Sequence, residues 1–522
     1  MPTLKYQGCS LFRQRIVASL LTCQPLKIEN IRSKDDAPGL QDFEASFIRL
    51  IEKLTDGCHI EINETGTTLR FKPGLLQGSS AGSSTGTGKV VTHDCGTSRS
   101  IGWFIEGIIP IALFCKTPVQ LILTGITNDS TDMSVDILRN VTLPLLQNFG
   151  VWGATLEVKR RGAVPKGGGV VHFTLPPVKK DLKPLHVTDE GLVKRVRGVA
   201  FSAKISPGIT SRVVDSCRAV LNKVLPDVHI EVDHWKGERA GHSPGYSLSL
   251  VAETTSGVLL SVERTAASRH QQQQQQHIQQ QQQHHMQLQG AGAGTAWTGG
   301  AGASGGGGGA DAPEDVGRDA AMMLLQEIYK GGVIDSMHQP LVLQLMVLTP
   351  EDVSKVRFGV LSGQAVQVLR LLREAFGVTF KIRQEISTAL PALKTASATA
   401  SDGKRQRREE ESGEESDEDD DDDDDDEDDE KESSGDEEEE EEEGSEEEGS
   451  EEDSDGEVSE EGSREEEDVD GENESDSDEE NTGSSSAKKR NASAVAAAPL
   501  QRTTVVLSCY GVGYSNVYRK VT

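Results

Sequence analysis

The stretch Arg161-Gly162-Ala163-Val164-Pro165-Lys166-Gly167-Gly168-Gly169 holds the residue types best suited to binding an anion. Three consecutive glycines let backbone N–H groups turn one way and approach a ligand closely. Arg160, Arg161 and Lys166 add positive charge. The chemistry expected is a phosphate cradle, with Arg161, Lys166, Gly167, Gly168 and Gly169 as anion-binding candidates. A plain flexible turn is the commoner role of a Gly-rich hairpin; the basic flank argues for the anion. The histidines offer less. His93 stands beside Asp94, but neighbours on a strand point to opposite faces, so a hydrogen-bonded structural role is expected. His338, just before an apolar run, also reads as structural. His270, His277, His284 and His285 lie in a Gln-rich tract where no specific role is expected. There is no Walker A motif, and none of the seven cysteines (9, 23, 58, 95, 115, 217, 509) forms a CxxC pair. Reduced thiols, no metal site and no cofactor are the expectation.

The elements that position these residues recur three times. QPLKIENIR at 24–32, TPVQLILTGIT at 117–127 and QPLVLQLMVLT at 339–349 each start with a proline before a β-rich apolar run, as at the first residue of a strand. An amphipathic helix follows each. The first has Leu40, Phe43, Phe47, Ile48, Ile51 and Leu54 at helical spacing and Gly57 placed to end it. SVDILRNVTLPLLQNFG is the second, where Pro144 should kink the helix or shorten its regular part. SGQAVQVLRLLREAFG is the third. Then come paired strands: CHIEINE with TTLRFK, ATLEVKRR with VVHFTL, and VTFKIRQE with TTVVLSCY. An apolar helix precedes each unit (RIVASLL, WFIEGIIPIALF, AAMMLLQEIY). The fold class is therefore α/β (α+β), three repeated β-α-β-β-type units forming a main body.

Two insertions interrupt the repeat, giving five segments. Residues 1–182 carry units one and two. Residues 183–312 form a smaller inserted α/β domain, with strands GVAFSAKIS, VHIEVDHW, YSLSLVAET and GVLLSVER, the helix SRVVDSCRAVLNKVLP, and a Gln/His- and Gly-rich tract at 268–312. Residues 313–390 begin unit three. An acidic insertion covers 391–501, and 502–522 returns the last strand. Both low-complexity tracts lack the apolar content for a core and are expected to be disordered. Lengthening a short hairpin loop to this size costs only about 3 kcal/mol more, because the closure entropy grows logarithmically.

Charge is just as uneven. The net charge is -32, yet 411–480 holds 47 acidic residues against two basic ones, which leaves +13 for the rest. A basic body suits a nucleic-acid partner. Basic runs at 404–408 and 488–490 read equally as nuclear import signals or solvated charge. No apolar run reaches the roughly 18–20 residues of a membrane span, so no membrane partner is expected. The N-terminus lacks the apolar centre of a signal peptide.

RGAVPKGGG resembles the signature of the RNA 3′-terminal phosphate cyclase family, and the resemblance extends through Ile31-Arg32, Pro38-Gly39-Leu40 and the repeats. His93-Asp94-Cys95-Gly96-Thr97-Ser98-Arg99-Ser100 with IGWFIEG, and LTPEDVSKVRFG at 348–359, are similar to a branch of the family that differs from the true cyclases. The true cyclases use a nucleophilic histidine before the third-unit helix; here that helix begins near Ser362-Gly363-Gln364, and no histidine follows His338. Tyr6-Gln7-Gly8-Cys9-Ser10 and Asp35 depart from the family pattern too. The resemblance thus implies a non-catalytic assembly factor of the nucleus and nucleolus. Its partners would be pre-rRNA, a ribosome-assembly GTPase, and small-subunit processome and snoRNP components. Arg13, Arg32, Arg99, Arg161 and Lys166 are its candidate RNA-facing residues. The alternatives are an endoribonuclease cleaving pre-rRNA directly, or a residual cyclase with another nucleophile.

Overall fold

Short alternating runs set the strands and amphipathic runs set the helices, and the same order of elements appears three times. The computed structural model describes residues 2–79, 90–266, 311–387 and 502–518. Most of the Gln/His- and Gly-rich tract, the acidic insertion and both basic runs lie outside the described residues.

Unit one runs β1 (Leu4–Gln7), α1 (Phe12–Thr22), β2 (Leu26–Glu29), α2 (Asp42–Leu54), β3 (Thr55–Asp56), β4 (His59–Ile62), β5 (Leu69–Lys72) and β6 (Leu75–Leu76). Its sheet order is β1-β2-β5-β4, while β3 and β6 form a separate small pair. β1 is parallel to β2, so the chain needs a crossover, and α1 supplies it. Unit two repeats this with β7 (Val91–Asp94), α3 (Ile101–Ala112), β8 (Val119–Gly125), a helical stretch, β9 (Thr155–Arg160) and β10 (Gly169–Leu175), in sheet order β7-β8-β10-β9. The helical stretch is α4 (Val135–Ile137), a π-turn (Leu138–Thr142) and α5 (Leu143–Asn148). Pro144 sits in the first turn of α5, just after the π-turn. The wider turn fits a residue that has no N–H and crowds the preceding carbonyls.

Unit three starts with β11 (His186–Val187), which pairs in parallel with β16 (Val353–Phe358). Between them lies the inserted domain: β12 (Val193–Ala203), α6 (Pro207–Leu221), β13 (Val228–Trp235), β14 (Gly245–Thr254), β15 (Leu259–Thr265) and α7 (Pro313–Lys330). Its sheet order is β13-β12-β14-β15. α8 (Gln339–Val347), β16, α9 (Gly363–Phe376), β17 (Lys381–Ser387) and β18 (Arg502–Tyr510) complete the unit, with sheet order β11-β16-β18-β17. The β17–β18 ladder pairs Lys381 with Ser508 and Ser387 with Arg502, so the C-terminal strand closes the hairpin across the acidic insertion as expected.

Two readings of the third unit need correction. QPLVLQLMVLT does not begin a strand; Gln339–Val347 is helix α8, and the strand equivalent to β2 and β8 is VSKVRF. All nine residues of α8 are buried, so the run carries no period to separate helix from strand. Pro340 falls in the helix's first turn, where a missing N–H costs nothing. The apolar helix AAMMLLQEIY belongs to α7, which packs against α6, β14 and β15 rather than opening unit three. The inserted domain therefore extends past 312 to Lys330. It interrupts unit three after its first strand, β11, and does not simply separate units two and three. The three first strands, β1, β7 and β11, are not among the strands expected from the sequence.

Candidate nucleic-acid interface

The turns that enter the first helices of units one and two, and the second helix of unit three, converge on one cleft. It has a volume of about 310 Å³ and is lined by Arg13, Arg32 and Glu44 from unit one, Arg99, Trp103 and Asp132 from unit two, and Gln364 from unit three. Arg13 sits in the first turn of α1. Arg32 lies in the β2–α2 loop at a positive φ of 46°. Arg99 directly precedes Ser100, the N-cap of α3. The structure thus brings together three of the five basic candidates.

Each of these arginines is already paired. The Arg13 guanidinium donates to the Trp103 carbonyl and to the Glu106 carboxylate, and lies 4.9 Å from the centroid of the indole. Arg32 donates to both oxygens of Glu44 at 2.6 and 2.9 Å and to the Gly39 carbonyl at 3.1 Å. Glu44 in turn accepts from the Gln41 N–H at 3.0 Å and so caps α2. This two-point contact raises the Arg32 pKa. Arg99 donates its Nε–H to Asp132 at 2.7 Å, binds the second carboxylate oxygen as well, and stands 5.4 Å from the Phe43 ring. Nearby Asp129 is pushed up to about 6 by burial and by the Asp132 charge. Three guanidinium groups meet three carboxylates, so the cleft has no net charge from these residues. Two-point arginine–carboxylate bonds are short and strong, and an incoming phosphate would have to displace one.

Glu44, Glu106 and Asp132 went unread in the sequence. Glu106 carried a signal: it is a lone carboxylate in the otherwise uncharged helix IGWFIEGIIPIA, and a charge there needs a partner. Glu44, three residues after Gln41, carried the capping-box spacing.

Arg161 and the glycine hairpin lie elsewhere and are built for a different task. Arg161 is 1% exposed. It donates to Asp136 at 2.7 and 2.8 Å and to Asp233 of β13 at 3.0 Å through Nε, with Phe201 beneath it at 4.8 Å. Burial alone would lower its pKa, but the Asp136 and Asp233 charges outweigh burial and raise it. The same pairing pulls Asp136 below its ordinary value against burial. Arg161 therefore clamps the inserted domain to unit two and cannot meet RNA.

The cradle expectation is corrected with it. The Lys166 N–H bonds Ser243 Oγ at 3.0 Å and the Gly167 N–H bonds the Ala163 carbonyl at 2.9 Å. Gly168, at φ +82°, has the His242 ring 2.2 Å from where a Cβ would stand, and a Cβ on Gly162 would lie 2.3 Å from the Gly169 nitrogen. The glycines permit close packing of this hairpin on the inserted domain. Gly169 is the first residue of β10, paired to Gly125. Lys166 alone of the motif's cations remains exposed.

His93 is buried, with Nε2 3.0 Å from Ser46 Oγ, and Asp94 is exposed on the opposite face. Burial, then Lys53, pulls the imidazole down to about 4. His338 is buried between Asp335 at 2.7 Å and Thr142 at 2.8 Å. Among the described residues, no group of histidine, cysteine and carboxylate side chains suits a metal ion, and no helix is long and apolar enough to cross a membrane.

Comparison with known families places this arrangement. Residues 4–382 match the family described as RNA 3′-terminal phosphate cyclase. The chain belongs to the RNA 3′-terminal phosphate cyclase family. It is 47% identical over 382 residues to the human RNA 3′-terminal phosphate cyclase-like protein, covering 73% of this chain and 90% of the relative. The probable RNA 3′-terminal phosphate cyclase-like protein of Dictyostelium discoideum is 42% identical over 73% of this chain and 94% of its own length. The rRNA processing protein rcl1 of Schizosaccharomyces pombe is 36% identical, over 73% and 92%. Within this family's fold, the cleft where the three units meet carries Gln364 and no histidine among its lining residues.

Proposed function

We propose that the protein is a non-catalytic rRNA-processing factor that works in assembly of the small ribosomal subunit. One observation carries the reading. At the meeting point of the three units, the side chain offered from the start of α9 is Gln364, and the three arginines around it are neutralised by Glu44, Glu106 and Asp132. An amide cannot form a phosphoramidate with a nucleotide. Paired arginines also lack the free positive field that would stabilise a developing phosphoryl charge. The name of the S. pombe relative supports the process, rRNA processing.

In this reading the protein acts in the nucleolus within the small-subunit processome. It is needed for early pre-rRNA cleavages and binds pre-rRNA and a ribosome-assembly GTPase alongside snoRNP components. The chemistry of cleavage belongs to a partner.

The test has two arms. Purified full-length protein is incubated with α-labelled ATP, and separately with pre-rRNA spanning the early cleavage sites. Neither a covalent nucleotide adduct nor a discrete cut is expected. In cells, depletion should accumulate uncut pre-rRNA, and crosslinking should recover pre-rRNA with the protein. An adduct would restore cyclase chemistry, a discrete cut by the purified protein would favour the endoribonuclease reading, and normal processing after depletion would overturn the assignment.

A further inference from the structure

The three repeated sheets share one strand order but not one surface. Each buries its helix-side face and leaves the other outward, as the alternating burial along β5, β8, β10 and β16 shows. In unit one the outward positions of β1, β2 and β5 carry Lys5, Lys27, Arg70 and Lys72. Lys27 is paired to Glu29, and Arg70 lies 3.4 Å from Glu61. In unit two the outward positions of β8 and β10 are Gln120, Ile122, Thr124, Val170, His172 and Thr174, with no Lys, Arg, Asp or Glu. On the unit-one face Lys5 and Lys72 have no ion pair among the described residues; unit three likewise carries cations outward, and adds an exposed aromatic ring, Tyr510. Its register aligns His186, Lys355, Ser508 and Lys381 in one row across all four strands, roughly 14 Å at the usual strand spacing. Arg357, Val506 and Arg383 form the next row, where Val506 itself is buried, so the open part of the face is the row of Lys355 and Lys381 with Arg383 and Tyr510 beside it. Glu385 is the one carboxylate among these outward strand positions. It accepts from Arg357 at 2.9 Å and lies 3.8 Å from Arg383, which stays 77% exposed. No ion pair among the described residues engages Lys355 or Lys381. Tyr510, opposite Val353 on the same face, leaves 58% of its surface open.

We propose that this outward face of the unit-three sheet is a platform for single-stranded RNA, with Lys355, Lys381 and Arg383 on phosphates and Tyr510 stacked on a base. The proposal rests on the RNA-binding part of the reading above and names where the RNA lies. Charge complementarity selects a polyanion, since four cations on the face oppose a single carboxylate. The open aromatic ring selects an unpaired strand. A duplex keeps its bases stacked on each other, whereas a free base gains a second face from Tyr510. The cleft offers no comparable surface, because its arginines are spent on carboxylates.

The experiment uses the full-length chain and fluorescence anisotropy with a labelled 12-nucleotide oligouridine and a labelled RNA hairpin duplex, across a salt series. One variant combines Lys355→Gln, Lys381→Gln and Arg383→Gln; another is Tyr510→Ala, with Tyr510→Leu as the alternative should the alanine lower the melting temperature. The triple variant should bind oligouridine at least tenfold more weakly, with a salt slope reduced by about 2, from three phosphates at roughly 0.7 each. Tyr510→Ala should weaken oligouridine binding roughly fivefold or more and leave duplex binding unchanged. Photocrosslinks from 4-thiouridine should fall on the peptide containing Tyr510. A triple variant with wild-type affinity and slope would overturn the placement, as would crosslinks confined to another face. Equal loss of duplex and oligouridine binding on removing the ring would overturn the single-strand preference. Wild-type protein that binds neither RNA would instead overturn the RNA-binding reading itself.

Discussion

Cations in the three-unit cleft and at the hairpin clamp differ from Lys355 and Lys381 on the unit-three sheet in the company they keep. Arg13, Arg32 and Arg99 each hold a carboxylate, and Arg161 holds two. Lys355 and Lys381 stand in water without an ion-pair partner among the described residues. A buried arginine cannot be left bare, because removing a charge from water costs several kcal/mol unless a partner replaces the solvent. An exposed lysine needs no partner, so its field remains available. The +13 of the body outside the acid tract is therefore a poor guide to where a polyanion docks. Burial sorts the cations into those that hold the fold and those that can hold a ligand.

The comparison can be broken most severely through β18, which carries Tyr510 and lies between β16 and β17. Deleting 503–522 removes the inner strand of the unit-three sheet and leaves open strand edges. It also removes Asn516, which is buried and donates to the Cys115 and Val178 carbonyls at 3.3 and 3.1 Å. The expected outcome is aggregated or unfolded protein, read as loss of soluble yield and of a cooperative melt. A truncation that melts normally would show that unit three does not depend on its last strand.

Next in size is the contrast between a tied and a free cation. Arg161→Ala strands Asp136 in the interior and should cost about 3–5 kcal/mol in urea unfolding. Lys381→Ala should stay within about 0.5 kcal/mol of wild type. Similar values for the two would erase the distinction.

The seam around Arg161 also gives a pH test. Glu263 accepts from Asn128 Nδ2 at 3.2 Å and from the Ser134 N–H at 3.1 Å, beside Asp136. Burial pushes its pKa from 4.5 up to about 8. A carboxyl raised in the folded state holds its proton more tightly there than when unfolded. Its contribution is thus full at low pH and is lost as pH rises from about 4.5 to about 8. Glu263→Gln should melt like wild type at pH 5 and above it at pH 8. A wild-type-minus-variant difference that is constant with pH would contradict this.

The smallest expected effect concerns the acid tract, which is anchored between β17 and β18. Deleting 411–480, with its net charge of -45, should leave the melt unchanged and tighten nonspecific RNA binding severalfold at low salt. The gain should shrink as salt rises, since at physiological strength the Debye length is about 8 Å. Equal affinity at low salt would leave the tract a role other than competing with RNA.

Much of this architecture was legible without coordinates. Alternation in ATLEVKRR and VTFKIRQE, helical spacing from Leu40 to Leu54, and the recurrence of the same order of elements identified the repeat and paired β17 with β18 across the acid tract. Side-chain period and turn residues act locally, so a linear reading recovers them. The absence of any histidine after His338 was equally plain, because a missing residue type needs no geometry. Tertiary structure alone decided the rest. QPLVLQLMVLT is buried on every side, and only its neighbours made it a helix. RGAVPKGGG reads as an anion cradle until Asp136 and Asp233 are brought against Arg161 from 25 and 72 residues away, and His242 against Gly168 from 74. Whether an arginine faces solvent or a carboxylate depends on contacts between distant segments. Spacing along the chain determined which residues were present, and packing determined which charges were left free.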